Sequence, residues 1–426
     1  MKIKDIVKIK GGKRLPKGEN LQTIPNQHPY IRVRDMKGKY ISLNELEYVP
    51  DNVFPQIRNY IVNENDVIIS IVGTIGLVSI IDKKLDKASQ SENCAKLSGL
   101  DYIDAQYLYY YLISDFGQEE IRKVTVGAVQ PKLPLYGIEN IEIDWKTRNE
   151  RINIIFILES LDKKIELNTQ INQTLEQIAQ TIFKSWFIDF DPVHAKANAL
   201  ANGQTAEQAT QAAMAVISGK NTQELHRLQT ANLEQYQQLW EIAEAFPSGF
   251  DEEGVPRGWE ERYLKDVCNI VYGKGLPKNK LTEKGFYVFG ANGVIGFYDS
   301  YTYEKPQVLI GCRGTVGQVT LSYPYSFVTN NSLVIEYENS CVSMYYLEKY
   351  LSNINLKEIS SGSVQPQITI QNMSKVKILI PNIEILNFYS EKVKEIYDKR
   401  LHHFYENQSL SKVRDLLLPK LLSGEV

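Results

Sequence analysis

Residues 1–39 hold eleven lysines and arginines (Lys2, Lys4, Lys8, Lys10, Lys13, Arg14, Lys17, Arg32, Arg34, Lys37 and Lys39) against three acids, Asp5, Glu19 and Asp35. The whole chain carries a net charge of −3, so this basic end is a local feature, and local basic faces are what neutralise phosphates. Lysine and arginine supply the salt-dependent phosphate contacts of a DNA-binding surface. Arginine, asparagine and glutamine can also read a base edge through two hydrogen bonds. Lys13, Arg14, Lys17, Arg32, Arg34 and Lys37 are therefore candidate DNA contacts. Lys274, Lys278, Asn292, Arg313 and Gln367 form a second set of the same chemistry. A Val-Gln-Pro turn occurs twice and places Gln130 and Gln365 at equivalent positions, with Lys132 following the first. Solvated surfaces also carry such charges, and turns collect such residues, so composition alone leaves both readings open.

A search for catalytic machinery returns little. The chain has no HExxH, no GxSxG and no cysteine–histidine spacing suited to zinc. Its five histidines (His28, His194, His226, His402 and His403) are scattered, and the pair His402-His403 reads as solvated. Asp191-Pro192-Val193-His194 lacks the second proline of the Asp/Asn-Pro-Pro-aromatic motif of amino-methyltransferases. No common nuclease constellation of carboxylates and lysine is present. The turn Gly-Thr-x-Gly (Gly73 to Gly76, and Gly314 to Gly317) has neither the GxxxxGK[ST] nor the GxGxxG pattern and reads as a strand connection. No metal site and no cofactor of its own is expected. The four cysteines form no CxxC pair, the N-terminus shows no signal-peptide core, and no apolar run is long enough to span a bilayer, so a cytoplasmic location is expected.

The elements that position these residues repeat. Ile3-Lys4-Asp5 and Gly12-Lys13-Arg14-Leu15-Pro16-Lys17 return as Leu264-Lys265-Asp266 and Gly273-Lys274-Gly275-Leu276-Pro277-Lys278. VIISIVGTIG (67–76) returns as VLIGCRGTVG (308–317), and the tyrosine-rich segment 107–112 as 346–351. Gly127-Ala128-Val129-Gln130-Pro131 is answered by Gly362-Ser363-Val364-Gln365-Pro366, and Leu161 to Ile165 by Tyr397 to Leu401. Five collinear matches describe a duplicated unit, a mixed α/β domain followed by a long helix. Strands are expected at 67–72, 308–310, 332–337 and 375–380. The two copies diverge at 26–43, rich in Arg and Lys, and at 286–303, rich in Gly, Asn and Tyr, which suggests two different recognition tasks.

The stretch from Arg151 to Phe187 contains no proline or glycine. Leu161, Ile165, Leu175, Ala179, Ile182 and Trp186 lie on one alternating three-and-four spacing, widened by Ile171 and Ile178, with Asn168 and Asn172 in the two remaining slots. This predicts a rod of roughly 55 Å that packs along another helix, with polar slots fixing register. Its partner is expected from about Ile383 through Val393, Ile396, Leu401, Phe404, Leu410, Val413 and Leu417, bent or ended by Pro419. Antiparallel pairing within the chain is the economical arrangement, with parallel pairing between two copies as the competitor. Residues 188–260 hold eleven acids against four bases, and their Ala/Gln-rich part predicts two or three short amphipathic helices.

NQTLEQIAQTIFKSWFIDFDPV (172–193) resembles the central conserved region of the specificity subunits of type I restriction–modification systems. LLLPKLLSGEV (416–426) is similar to their carboxyl terminus, and FPSGFDEEGVPRGWEERYLKDV (246–267) to their entry into a second recognition domain. The resemblance implies an α/β (α+β) fold with two target recognition domains, each followed by a long helix, the helices pairing as an antiparallel coiled coil of pseudo-twofold symmetry. The implied division is a first recognition domain at 1–148, a central helix at 149–190, a helical linker and partner-docking region at 191–258, a second recognition domain at 259–381 and a C-terminal helix at 382–426. It also implies a non-catalytic subunit that reads the two halves of an asymmetric gapped site on double-stranded DNA. Two methyltransferase subunits would dock on the helical regions, where Phe183, Trp186, Phe187, Phe190, Leu417 and Leu421 are the candidate contacts. Motor-endonuclease subunits would complete the complex, with S-adenosylmethionine, ATP and magnesium held by partners and not by this chain. The Ala/Gln-rich insert at roughly 196–245 is longer than the family's minimal linker. A rod of about 55 Å suits readers one to one and a half DNA turns apart, at about 34 Å per turn. The alternatives are a stand-alone DNA methyltransferase or nuclease, which would act without other subunits, and a coiled-coil adaptor, which would show no salt-sensitive DNA binding.

Overall fold

Val67, Ile68 and Ile69 are apolar at three successive positions, which suits a strand covered on both faces and not one with a wet side. The computed structural model describes residues 1–127, 129–362 and 365–425; the repeat positions Ala128, Ser363 and Val364 and the terminal Val426 lie outside the described residues. The chain divides into two compact units, Met1–Asn168 with Tyr405–Val426, and Thr169–Phe404.

The first unit contains β1 (Lys8–Gly11), β2 (Pro29–Ile31), β3 (Glu47–Tyr48), α1 (Phe54–Ile57), β4 (Val67–Ser70), β5 (Val78–Ile80), β6 (Ser89–Gln90), β7 (Cys94–Ser98), α2 (Tyr102–Ile113), α3 (Asp115–Val124) and α4 (Leu135–Asn140). One sheet has the order β1-β7-β4-β5 with every pair antiparallel; a smaller sheet has the order β3-β2-β6, with β2 and β6 parallel. Val67, Ile69, Ala95 and Leu97 pack on one side of the large sheet with Tyr107, Leu108 and Leu112 of α2. Ile68 and Cys94 face the other side, against Ile31, Met36 and Leu85. Buried phenols need partners. Tyr107 donates to the Asp144 carbonyl at 2.6 Å, Tyr111 to the Glu142 carbonyl at 3.0 Å and Tyr110 to Asp162 at 2.5 Å.

A single helix, α5 (Arg148–Phe187), begins three residues before the sequence pattern does and contributes to both units. After it come α6 (Asp191–Ala201), α7 (Ala206–Ser218), α8 (Thr222–Ala231) and α9 (Leu233–Ala245), so the insert forms four helices where two or three were expected. Side chains of Thr205, Asn221 and Asn232 cap three of them, and such caps are what divide an Ala/Gln-rich stretch into separate helices. The buried Lys196 ammonium donates to the carbonyls of Ala243, Glu244 and Phe246 at 3.2, 3.0 and 2.6 Å, closing the C-terminal end of α9.

The second unit continues with β8 (Glu260–Tyr263), α10 (Leu264–Val267), β9 (Asn269–Tyr272), β10 (Phe286–Gly290), β11 (Gly293–Tyr298), β12 (Val308–Gly311), β13 (Val319–Leu321), β14 (Phe327–Val328), β15 (Ser332–Glu336), α11 (Met344–Ser352), α12 (Ile370–Ser374), β16 (Lys377–Ile380) and α13 (Ile383–Ser423). Its large sheet runs β9-β15-β12-β13 and a smaller one β11-β10-β14, with β10 and β14 parallel, while β8 and β16 pair antiparallel in a two-stranded sheet. Strand for strand, the first two are the two sheets of the first unit. The detail carries over: Tyr346 donates to the Leu379 carbonyl at 2.5 Å, as Tyr107 does to Asp144.

In both units the α5 and α13 segments run antiparallel. Asp162 meets Arg414 at 2.9 Å and Asn168 donates to Asn407 at 2.8 Å in the first; Asn172 meets His403 at 2.9 Å and Glu176 meets Arg400 at 2.5 Å in the second. His403 is therefore buried on an amide and not solvated as its sequence context suggests, while His402 is exposed. Ile178, Ile383 and Val413 lie outside the apolar seam, 43%, 51% and 45% exposed, because the stripe on each helix is narrower than the sequence spacing implies. Pro419 does not end α13; the helix continues to Ser423 with Leu418, Leu421 and Leu422 buried in the first unit's core, and that burial offsets the lost hydrogen bond.

Gly12 and Gly273, equivalent in the repeat, pass so close to the next chain segment that a Cβ would fall on the carbonyl oxygen of Ser91 or Thr329. Gly12→Ala and Gly273→Ala are each expected to cost about 3 kcal/mol, by forcing apart two backbone segments that touch. Denaturant unfolding of the purified chain checks this, with Gly18→Ala, in open space but at positive φ, as a milder comparison.

Candidate nucleic-acid interface

The loop after β1 and the turn after β2 bring four of the expected basic residues to one cleft of about 520 Å³: Arg14, Lys17, Arg32 and Arg34, with Tyr30 and Glu92 in its wall. Tyr30 holds the loop by donating to the Lys13 carbonyl at 2.8 Å. Lys13 itself points to the ring of Tyr60, 5.8 Å away, where Lys10 also sits at 5.1 Å. Lys37 lies outside the cleft.

Most of these cations face an acid. Arg14 meets Glu92 at 2.6 Å, Arg34 meets Glu47 at 2.6 Å, Lys37 meets Glu45 at 2.7 Å, and Arg32 is paired with Glu47. Arg14–Glu92 and Lys37–Glu45 are exposed and therefore weak, so a phosphate can replace the acid at little cost, whereas Arg32–Glu47 is half-buried. These acids were not singled out from the sequence, because Glu47 and Glu92 reach their partners only through the β2–β3 pairing and the β6–β7 turn. Lys39 was also missed as a structural group. Its buried ammonium donates to Tyr110 at 2.9 Å and lies 3.5 Å from Asp162, fastening the loop to α2 and α5.

In the second unit, Lys274 and Lys278 are exposed beyond β9. Asn292 is exposed in the two-residue turn of the β10–β11 hairpin, beside Gly311, where a Cβ would meet the Ala291 carbonyl. Arg313 and Gln367 come together, with Arg313 Nε donating to Gln367 Oε1 at 3.3 Å and the guanidinium 6.0 Å from the Tyr272 ring centre. Gln130, Lys132 and Gln365 are exposed on the two Val-Gln-Pro loops.

The expected docking residues are placed differently. Phe183, Trp186 and Phe187 are buried in the second unit's core: Phe187 packs on Tyr389 at 5.1 Å, Phe183 on Tyr346 at 5.6 Å and Trp186 on Phe246 at 5.2 Å. Leu421 is buried in the first unit's core. Their apolar surface is used in folding, so these four are not a surface for a partner. Phe190, on Trp259 at 5.6 Å, and Leu417 are half-buried, whereas Leu416 is 68% exposed. Among the described residues, no group of three His, Cys, Asp or Glu side chains is placed to hold a metal ion, and no helix is long and apolar enough to cross a membrane.

Asp35 titrates in the range where DNA binding is measured. Burial raises its carboxyl from 3.8 to about 6, with Arg34 pulling the other way. A folded value above the unfolded one means that its contribution to stability is full below 3.8 and lost as pH rises through about 6. Protonation also removes a negative charge from beside Arg32, Arg34 and Glu47. DNA affinity should therefore rise as pH falls from about 7 to about 5.5. Asp35→Asn should raise it about fivefold at neutral pH and flatten that dependence, as read by fluorescence anisotropy; an unflattened profile would place the effect on another group.

A family model described as "Type I restriction modification DNA specificity domain" matches residues 1–177 and 256–413. The type I restriction enzyme HindI specificity subunit of Haemophilus influenzae is 36% identical over 75% of this chain and 77% of its own length. The MjaIX specificity subunit of Methanocaldococcus jannaschii is 22% identical over 100% of this chain and 92% of its own. The crystal structure of the type I restriction–modification S subunit from M. genitalium superposes with a TM-score of 0.52 at 18% identity, covering 99% of this chain and 95% of that one, a likeness of fold.

Proposed function

This chain belongs to the type I restriction–modification DNA specificity family, and we propose that its two units read the two halves of one asymmetric, gapped DNA site. A specificity subunit is the DNA-recognition component of its system and not the catalytic one. The observation that carries the two-half reading is the repetition of one strand order, β1-β7-β4-β5 and β9-β15-β12-β13, beneath unlike surface segments at 26–43 and 286–303. A spacer would need no such divergence, and a reader of a symmetric site would need none either.

Membership of the family supports the remaining parts of the proposed reading. Two methyltransferase subunits dock on the helical regions and carry S-adenosylmethionine; motor-endonuclease subunits bring ATP and magnesium chemistry, all in the cytoplasm. The docking contacts on the second unit include Phe190, and those on the first include Leu416 and Leu417, since the neighbouring aromatic residues are committed to the core. The DNA surface comprises the cleft of Arg14, Lys17, Arg32 and Arg34 in one unit, and Lys274, Lys278 and Asn292 in the other.

A single-molecule methylation map of cells with and without the gene tests this directly. A bipartite adenine-methylated motif should be present with the gene and absent without it. Unchanged methylation in cells with working methyltransferase subunits would sink the reading.

The helix α5 is a further expected determinant. Inserting seven residues after Lys163, with a matching insertion in α13, should lengthen the unread gap by about three base pairs while leaving both half-sites unaltered, because seven helical residues rise by about 10 Å. The same methylation map reads the outcome, and an unchanged gap would refute a ruler role for the helices.

A further inference from the structure

Two turns that recur in the sequence meet in space in each unit. In the first, Val126 and Lys132 exchange backbone hydrogen bonds at 2.9 and 2.8 Å, and the Leu133 N–H donates to the Ile71 carbonyl, just before the glycine turn, at 3.0 Å. In the second, Ser361 and Gln367 exchange hydrogen bonds at 2.8 and 2.9 Å, and the Ile368 N–H donates to the Cys312 carbonyl at 3.2 Å. Gly73 and Gly314 stand at φ of 84° and 80°, in the left-handed region that favours glycine, and hold the same exposed turn. The frame is common to both units down to its hydrogen bonds.

The charge in that frame is carried by different residues. Aligning VIISIVGTIG with VLIGCRGTVG sets Val72 against Arg313. Aligning GAVQPKL with GSVQPQI sets Lys132 against Gln367. These two positions are neighbours: Val72 and Lys132 form a backbone bridge in one unit, and Arg313 bonds to Gln367 in the other. One cation has changed strands and stayed at the same junction. Both cations are exposed, and neither has a carboxylate within ion-pair distance among the described residues, in contrast to Arg14, Arg32, Arg34 and Lys37.

We propose that this junction is a DNA phosphate-contact site, present once in each unit and filled by Lys132 in the first and by Arg313 in the second, that grips the backbone whatever the sequence. The proposal rests on the reading of both units as DNA readers and assigns them a division of labour. A feature common to both units cannot distinguish two different half-sites, so it supplies affinity. The divergent segments 26–43 and 286–303 supply discrimination. A compensated charge swap also suits a phosphate better than a base edge, because a diffuse anion accepts a cation from either strand, whereas two-hydrogen-bond base reading requires one fixed geometry.

The test uses the full chain assembled with its methyltransferase subunits and two short duplexes, one carrying the mapped target and one lacking it. Lys132→Gln should weaken both duplexes by the same factor, about fivefold at physiological salt, and reduce the slope of log affinity against log salt by about 0.9. Adding Val72→Arg to Lys132→Gln copies the second unit's arrangement and should restore both quantities. Arg313→Val with Gln367→Lys, which copies the first unit's arrangement, should likewise match the unaltered protein, and it keeps the test decisive if the half-buried Val72 does not tolerate arginine. A loss confined to the target duplex would overturn the proposal by making Lys132 a base reader. An unchanged salt slope in both Lys132→Gln and Arg313→Gln would overturn it as well. If the unaltered complex failed to discriminate between the duplexes, the two-half reading would fall, while the arm on non-target DNA would still decide the phosphate contact.

Discussion

Two asparagines occupy seam positions where a helix pair would ordinarily place leucine. Asn168 is fully buried and donates to Glu406 and Asn407; Asn172 donates to the Arg400 carbonyl and meets His403. A buried amide that loses its partners costs about 1–3 kcal/mol, so a slip of one residue between α5 and α13 is penalised at both places. Each domain is attached to charges that this register positions. In the first unit Tyr110 and Lys39 reach Asp162, which Arg414 also holds; in the second the buried Lys349 reaches Glu176, which Arg400 holds. The attachment of each unit's α/β part to its helix segments thus follows from a register that the amide contacts inside the seam hold.

Much of this was legible because the chain states it twice. Repetition exposed the duplicated unit and the paired glycine turns, short apolar runs marked four of the strands, and the three-and-four spacing marked the two long helices, with the asparagine slots visible as interruptions of that spacing. The misreadings share one cause, which is that a one-dimensional pattern does not say which side of an element is covered. Phe183, Trp186 and Phe187 looked like a partner surface and prove to be the joint between α5, the second domain and the insert. Pro419, expected to bend or end the helix, does not end it, and its neighbours are buried in the core. The small parallel pairs β2–β6 and β10–β14, three residues or fewer on at least one side, gave no periodic signal at all. The acid partners of the basic cleft were equally hidden, since they come from distant positions.

Those acid partners also shape how recognition divides. A bare cluster of arginines would hold any duplex strongly through the backbone. With Glu47, Glu45 and Glu92 in place, part of that positive charge is already balanced within the protein, which would lower the sequence-independent gain of any phosphate contact made there. The insert, by contrast, lies mostly between the two segments that the family model matches and is held by its own caps and by Trp186 and Phe246.

The Lys196 cap has a consequence for handling the protein. Its ammonium is bound by three carbonyls inside the fold, and the seam asparagines and His403 make short contacts shielded from solvent; none of these depends on exposed charge. Dissolved ions screen exposed charges within about 10 Å at 0.1 M and act only weakly on such enclosed bonds. Rising ionic strength therefore strips the nucleic acid long before it loosens the scaffold. The molecule can be loaded, washed clean and loaded again without ever passing through an unfolded state.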